Sequence, residues 1–270
     1  MVDEIRRDIH AWPLGAVSTN ELYDIFVGKR IEGTCDWVLN QSWFHHWTGP
    51  DFPDGRAKIL WINGPAGFGR SIICAGVIED MSLKLEEDPV AYFFFSSDFE
   101  GRKDPFFAIR LWLSQLVPYP VVFELFRDRW SGRPEQKATR GDVLKLFREV
   151  VTAIPQYTFI LDGLDECGWT GVSSSVASDK LVACFLEELR RAVSATSSQI
   201  LIVSCDEPEI RSALSGQPDA ENVSVNQYKI RPEDVQSNVE VFSPSVVDKK
   251  LIVQADGGSR GYCPFAGRAV

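Results

Sequence analysis

The stretch "ILWINGPAGFGRSIICAGVIEDM", residues 59–81, joins an unbroken apolar run to a glycine-rich turn and then to apolar residues at helical spacing. An apolar run of this length fits a parallel strand covered by helices on both faces. The turn, residues 64–71, satisfies the pattern G-x-x-x-x-G-K-[ST] at every fixed position except one, where Arg70 replaces Lys. Such a loop holds phosphate because successive backbone N–H groups converge on the anion, and the following helix adds its positive N-terminal dipole. Gly64, Gly67 and Gly69 permit close approach and backbone conformations that a side chain forbids. Ser71 offers a hydroxyl to Mg2+. The nucleotide contacts expected here are Gly64, Pro65, Ala66, Gly67, Phe68, Gly69, Arg70, Ser71 and Ile72.

A second motif supports the first. In "YTFILDGLDEC", residues 157–167, an apolar strand delivers Asp162 to its end, where a carboxylate can hold Mg2+ through water. Asp165 and Glu166 follow at once, and one of them can polarise an attacking water. Ser71 and Asp162 are therefore the metal candidates, and Asp165 and Glu166 the catalytic ones. The plain alternative places these acids on a solvated loop after a core strand. The order of the two motifs along the chain favours the site.

Around these motifs, strands and helices alternate. Apolar strands are expected in "AKILWIN" (57–63), "DPVAYFFFSS" (88–97) and "SQILIVSC" (198–205), besides the one that ends at Asp162. The spacing predicts helices over 71–85, 104–117, 121–130, 141–153 and 207–214, and another over 179–193 opened by Asp179 as a cap. This alternation specifies the α/β class: a three-layer P-loop NTPase domain with a mostly parallel central sheet of about five strands. Trp37, Trp43, Phe44 and Trp47 suggest a short amphipathic element packed on the core, with His45 and His46 on its surface. Residues 1–29 read as a partly ordered leader, 30–242 as the domain and 243–270 as an irregular tail.

Composition narrows the function. The 270 residues are 44% hydrophobic and 24% charged, as in an ordinary globular protein. A net charge of -10 argues against a nucleic-acid partner. The six cysteines form no C-x-x-C and, with only three His, no zinc-type set, so they read as reduced core thiols. No run approaches the ~20 apolar residues of a membrane span, and the N-terminus lacks a signal-peptide pattern. A soluble cytoplasmic protein is expected.

With both motifs in hand, the chain resembles the NACHT-type NTPases of the signal-transducing class, especially those of fungal NOD-like receptors. Within them it is most similar to the nephrocystin-3-like N-terminal module. The likeness is carried by "RIEGTCDWVL" (30–39), "ILWINGPAGFGRS" (59–71), "VAYFFFSS" (90–97), "FFAIRLWLSQLV" (106–117), "YTFILDGLDEC" (157–167) and "QILIVSCDEPEIRSAL" (199–214). This resemblance implies a nucleotide-controlled switch. ADP or GDP would mark a resting state, and ATP or GTP with Mg2+ would permit self-association with related NACHT proteins. It also implies that Gly33 and Thr34 lie near the base.

The chain departs from that pattern in three places. Arg70 keeps the charge of the usual Lys but is planar and broader. Relatives commonly carry Arg where Cys205 stands in "SCDEPEI" (204–210), and a thiol beside Asp206 cannot stabilise γ-phosphate charge. "GSRGYCPFAGRAV" (258–270) is glycine-rich and aperiodic where relatives continue into an apolar helix, so the end reads as truncated or frame-altered. The function expected is a nucleotide-binding switch module, at most a slow nucleoside-triphosphate hydrolase. The alternative is a pseudo-NTPase fragment that associates with related receptors without nucleotide. A metabolic kinase is disfavoured, since no second-substrate motif accompanies the loop.

Overall fold

The computed structural model describes residues 21–31, 33–49, 58–84, 89–98, 104–130, 138–154, 156–167, 175–215 and 223–236. Five strands, β1 (Ile59–Asn63), β2 (Val90–Phe94), β3 (Thr158–Asp162), β4 (Gln199–Ser204) and β5 (Val225–Lys229), form one sheet in the order β2-β3-β4-β1-β5. Every pairing is parallel. The helices in chain order are α1 (Glu21–Lys29), α2 (Ser42–Thr48), α3 (Arg70–Lys84), α4 (Phe106–Leu116), α5 (Pro120–Trp130), α6 (Arg140–Ala153), α7 (Ser175–Val193) and α8 (Pro208–Ser215).

Side-chain alternation along the strands builds two cores. Ile59, Trp61, Phe93, Phe159, Leu161, Ile200 and Ile202 pack with α4–α8 on one face. Leu60, Ile62, Phe94, Ile160, Leu201 and Val203 pack with α1–α3 on the other. A strand covered on both sides must be apolar at consecutive positions, which explains its unbroken run. The result is the three-layer α/β arrangement expected from the sequence.

Several elements differ from that expectation. β5 carries no apolar run, and its residues are half-buried or exposed. α7 begins at Ser175, so Asp179 lies inside the helix instead of capping it. α1, at the end of the expected leader, buries Leu22 and packs against α3. Of the five described cysteines, none of them in a disulfide, only Cys35 and Cys74 are core thiols, whereas Cys167 and Cys205 are half-buried and Cys184 is exposed. The expected tail lies outside the described residues. Among those described, no single helix is long and apolar enough to cross a membrane.

Two long-range contacts finish the sheet. Lys58, just before β1, donates to the carbonyls of Val193 and Ser194 at 2.7 Å and to that of Thr196, closing the C-terminal end of α7. On the side of β2 away from β3, the Gln115 carboxamide of α4 accepts from the Tyr92 N–H at 2.9 Å and donates to the Tyr92 carbonyl at 3.1 Å. Gln115 thus occupies the bonding positions that another strand would use, one way to protect an edge from foreign pairing. Gln115→Ala should lower unfolding stability by about 1–3 kcal/mol, because it strips two partly buried backbone groups of their partner. It should also add concentration-dependent association, read by denaturant unfolding and light scattering.

Candidate nucleotide site

The loop between β1 and α3 has the backbone of an anion cradle. Gly67 and Gly69 sit at φ +85° and +75°, in the left-handed region that glycine tolerates best. Gly64 is required for a different reason: a Cβ there would lie 3.0 Å from the Ile230 Cβ. Its N–H donates to the Ser204 carbonyl at 3.3 Å, which holds the start of the loop beside the end of β4. Pro65, Ala66 and Gly67 are exposed, and Phe68, Gly69, Arg70, Ser71 and Ile72 half-buried. The 15-residue helix α3 begins at Arg70, so its N-terminal dipole points into the loop.

The acidic motif meets this loop across the end of β4. Asp162 is 4% exposed, and the Ser71 hydroxyl nearby favours its ionised form. Burial raises the Asp162 pKa to about 7 against the opposing pulls of Ser71 and Arg70, while Asp165 and Glu166 push it further up. Gly163, at φ +73°, then turns the chain; a Cβ there would press on the Phe95 carbonyl at 3.2 Å. The single turn Leu164–Glu166 that follows directs its two acids to different partners. Asp165 Oδ2 lies 3.6 Å from the Arg70 guanidinium, and its Oδ1 accepts the Cys205 N–H at 2.8 Å. Glu166 accepts the Ser97 N–H at 2.8 Å, beyond the end of β2. Arg70 also donates to the Gly64 carbonyl at 3.0 Å. The Cys205 thiol, beside Asp165 and Arg70, is pushed up to about 11 chiefly by burial.

The structure thus brings Ser71, Arg70, Asp162 and Asp165 together and fastens Glu166 to the neighbouring loop. Among the described residues no three His, Cys, Asp or Glu side chains converge as a metal cluster. Mg2+ does not need one: it takes one or two side-chain oxygens and completes its shell with phosphate and water. A buried carboxylate beside a serine hydroxyl, at the mouth of a loop shaped like an anion cradle, fits that demand.

Gly33 and Thr34 lie on a turn that reaches the loop from outside. Gly33 has φ +78° and Cys35 φ +66°. Thr34 donates to the Ile31 carbonyl through its N–H at 3.0 Å and its hydroxyl at 2.6 Å. A Cβ on Gly69 would meet Cys35 Sγ at 3.5 Å, so this turn touches the phosphate loop. Sequence reasoning missed the residues that hold it there. Arg30 bridges Asp36 and Glu79 and lies over Gly76 of α3, where a Cβ would come 3.4 Å from the guanidinium carbon. Tyr228 of β5 stacks on Trp43 at 4.3 Å between ring centres. A glycine inside helix α3 was the available signal for Arg30.

A profile of the family described as "Nephrocystin 3, N-terminal" matches residues 33–205. Among curated proteins, the chain is similar to vegetative incompatibility protein HET-E-1 of Podospora anserina, with 25% identity over 231 residues. That match takes in 82% of this chain and 16% of the relative, so the chain spans about a sixth of the relative's length. Among solved structures, the Aeropyrum pernix ORC1 protein in complex with DNA aligns with TM-score 0.43 and 12% identity, over 87% of this chain and 53% of that one. The ORC2 protein of the same organism, in ADPNP–ADP complexes, aligns with TM-score 0.42 and 15% identity, over 76% and 48%.

The Asp162 environment makes stability depend on pH. An ordinary Asp ionises near 3.8, whereas Asp162 in the fold holds its proton to about 7. The fold therefore loses stability as pH rises between these two values, because the unfolded chain ionises first. Without Mg2+, the melting temperature of the parent should fall across that window relative to Asp162→Asn, which carries no titrating group there. Parallel melting curves for the two proteins would contradict this account.

Proposed function

The chain belongs to the nephrocystin 3 N-terminal family, and on that premise we propose that it is a nucleotide-binding switch module with little or no hydrolysis. The observation that carries this reading is the Ser71–Asp162 contact at the N-terminus of α3, directly after a loop with two left-handed glycines. Residues 64–72 would hold the phosphates of ATP or GTP, Ser71 and Asp162 the Mg2+, and Gly33 and Thr34 the base side. Mg2+, when bound, neutralises phosphate charge and lowers the cost of keeping Asp162 ionised. Asp165 and Glu166 are the candidates for orienting water. The same reading makes the chain cytoplasmic, resting with ADP or GDP and self-associating with related NACHT proteins. Similarity to a vegetative incompatibility protein supports a signalling role.

A second reading, a pseudo-NTPase interaction fragment, has one observation in its favour. Arg70 is already bonded to Gly64 and paired with Asp165 inside the protein. Calorimetric titration with Mg·ATP, Mg·GTP and Mg·ADP separates the two. Binding that is lost in Ser71→Ala supports the nucleotide switch; no heat with any of the three supports the fragment. In the switch, Arg70→Lys should tighten triphosphate binding by about 1–2 kcal/mol, the scale of a charge-assisted hydrogen bond.

Turnover should be negligible. Hydrolysis needs phosphates held, a metal placed, a water oriented and the developing γ-phosphate charge stabilised. Cys205, at the end of β4, supplies no cation for the last of these, and one missing stabiliser typically costs about 10²–10³ in rate. Steady-state phosphate release should stay at the level of an Asp165→Asn, Glu166→Gln control. Reproducible multiple turnovers above that control would show that Cys205 is no obstacle.

A further inference from the structure

Arg70 does not point away from the protein as a free cation would. Its guanidinium donates to the Gly64 carbonyl at 3.0 Å and stands 3.6 Å from Asp165 Oδ2. Only 15% of the Arg70 side chain and 13% of the Asp165 side chain remain exposed, so solvent screens this pair weakly. Asp165 is in turn fixed by the Cys205 N–H, which donates to its other oxygen at 2.8 Å. One planar fork thus ties the first residue of the phosphate loop to the ends of β3 and β4. A fork donates in two fixed directions at once, which a compact ammonium does not reproduce.

We propose that Arg70 and Asp165 form an internal latch in which Asp165 stands in for phosphate, so that nucleotide must displace it to gain the loop's cation. This rests on the nucleotide-binding reading above and adds a regulatory step to the same site. Asp165 and a bound phosphate are rival anions for one guanidinium. While the latch is closed, apparent affinity is reduced by the fraction of molecules in which Arg70 is engaged. Opening it frees Asp165 from its counter-ion and removes the reason for Asp165 to stay on the Cys205 N–H. Occupancy of the phosphate loop is thereby reported at the end of β4.

Two measurements test the latch on the full chain. The first is titration of Mg·ATP into the parent, Asp165→Asn, Arg70→Gln and the double variant. Asp165→Asn keeps an oxygen for the Cys205 N–H but removes the rival charge, and should bind roughly three- to tenfold tighter, as for loss of a partly buried ion pair. In the Arg70→Gln background the same change should bring no such gain. The second is amide exchange at Cys205, expected to be protected without nucleotide and faster at saturating Mg·ATP. Equal affinity in parent and Asp165→Asn, an equal gain in both backgrounds (plain repulsion of phosphate), or unchanged Cys205 protection would each overturn the latch. If Arg70→Gln binds too weakly to titrate, the exchange measurement decides. Absence of binding in both the parent and Asp165→Asn would instead overturn the nucleotide reading itself.

Discussion

Burial of the sheet on both faces is the constraint from which the rest follows. With helices above and below, the buried polar residues of β1, β3 and β4 lie at the strand ends. At the N-terminal edge Gln199 donates to Thr158 at 3.1 Å and Ser198 accepts the Tyr157 N–H at 3.2 Å, while the buried Tyr157 hydroxyl has no hydrogen-bond partner among the described residues. At the C-terminal edge Asp162 is held in surroundings that resist its ionisation, and the fully buried Asn63 carboxamide has no hydrogen-bond partner among the described residues. Unpaired or destabilised polar groups are costly, and at the C-terminal edge both an ionisable and an unpaired group carry that cost. That edge is where open α/β sheets bind ligands.

What was legible in the sequence follows the same division. Strands buried on both sides announce themselves as apolar runs, so β1 to β4 and the acid at the end of β3 could be read directly. β5 pairs only with β1 at the border of the sheet, and "VNQYK" shows no such run. Asp179 looked like a cap because helix-opening residues are recognised by type; "SVAS" before it simply continues the helix. The contacts that position the site were out of reach. Arg30 with Glu79 and Lys58 with the end of α7 join residues far apart in the chain, and no periodicity encodes them. The sequence showed that the cation at position 70 was unusual, but not which carboxylate it would choose.

That choice links two substitutions that look independent in the sequence. Position 70 lies at the start of α3 and position 205 just after β4, yet both side chains meet at Asp165. A second guanidinium at position 205 would compete with Arg70 for that carboxylate, whereas a thiol leaves it available. Arg at 70 and Cys at 205 are therefore compatible as a pair, with one cation and one anion sharing a partly buried space. Breaking such a pair by removing one partner leaves a charge with little solvent to take its place.

The same bookkeeping explains why the loop can keep its shape while the site is destabilised for charge. Gly64 is packed against Ile230 and bonded to Ser204, so the first residue of the loop is fixed by β4 and by the chain after β5. Gly69 is fixed at the other end by the first turn of α3, where its carbonyl accepts the Ile73 N–H at 2.9 Å. Between these anchors Pro65, Ala66 and Gly67 stay exposed. Their conformation is set by glycine geometry and by the two anchored ends. The strain falls on Asp162 instead, whose ionisation is opposed by burial and by two neighbouring acids. At Asp162 a local rule is broken where a binding partner would repair it, which is the pattern expected of a functional site.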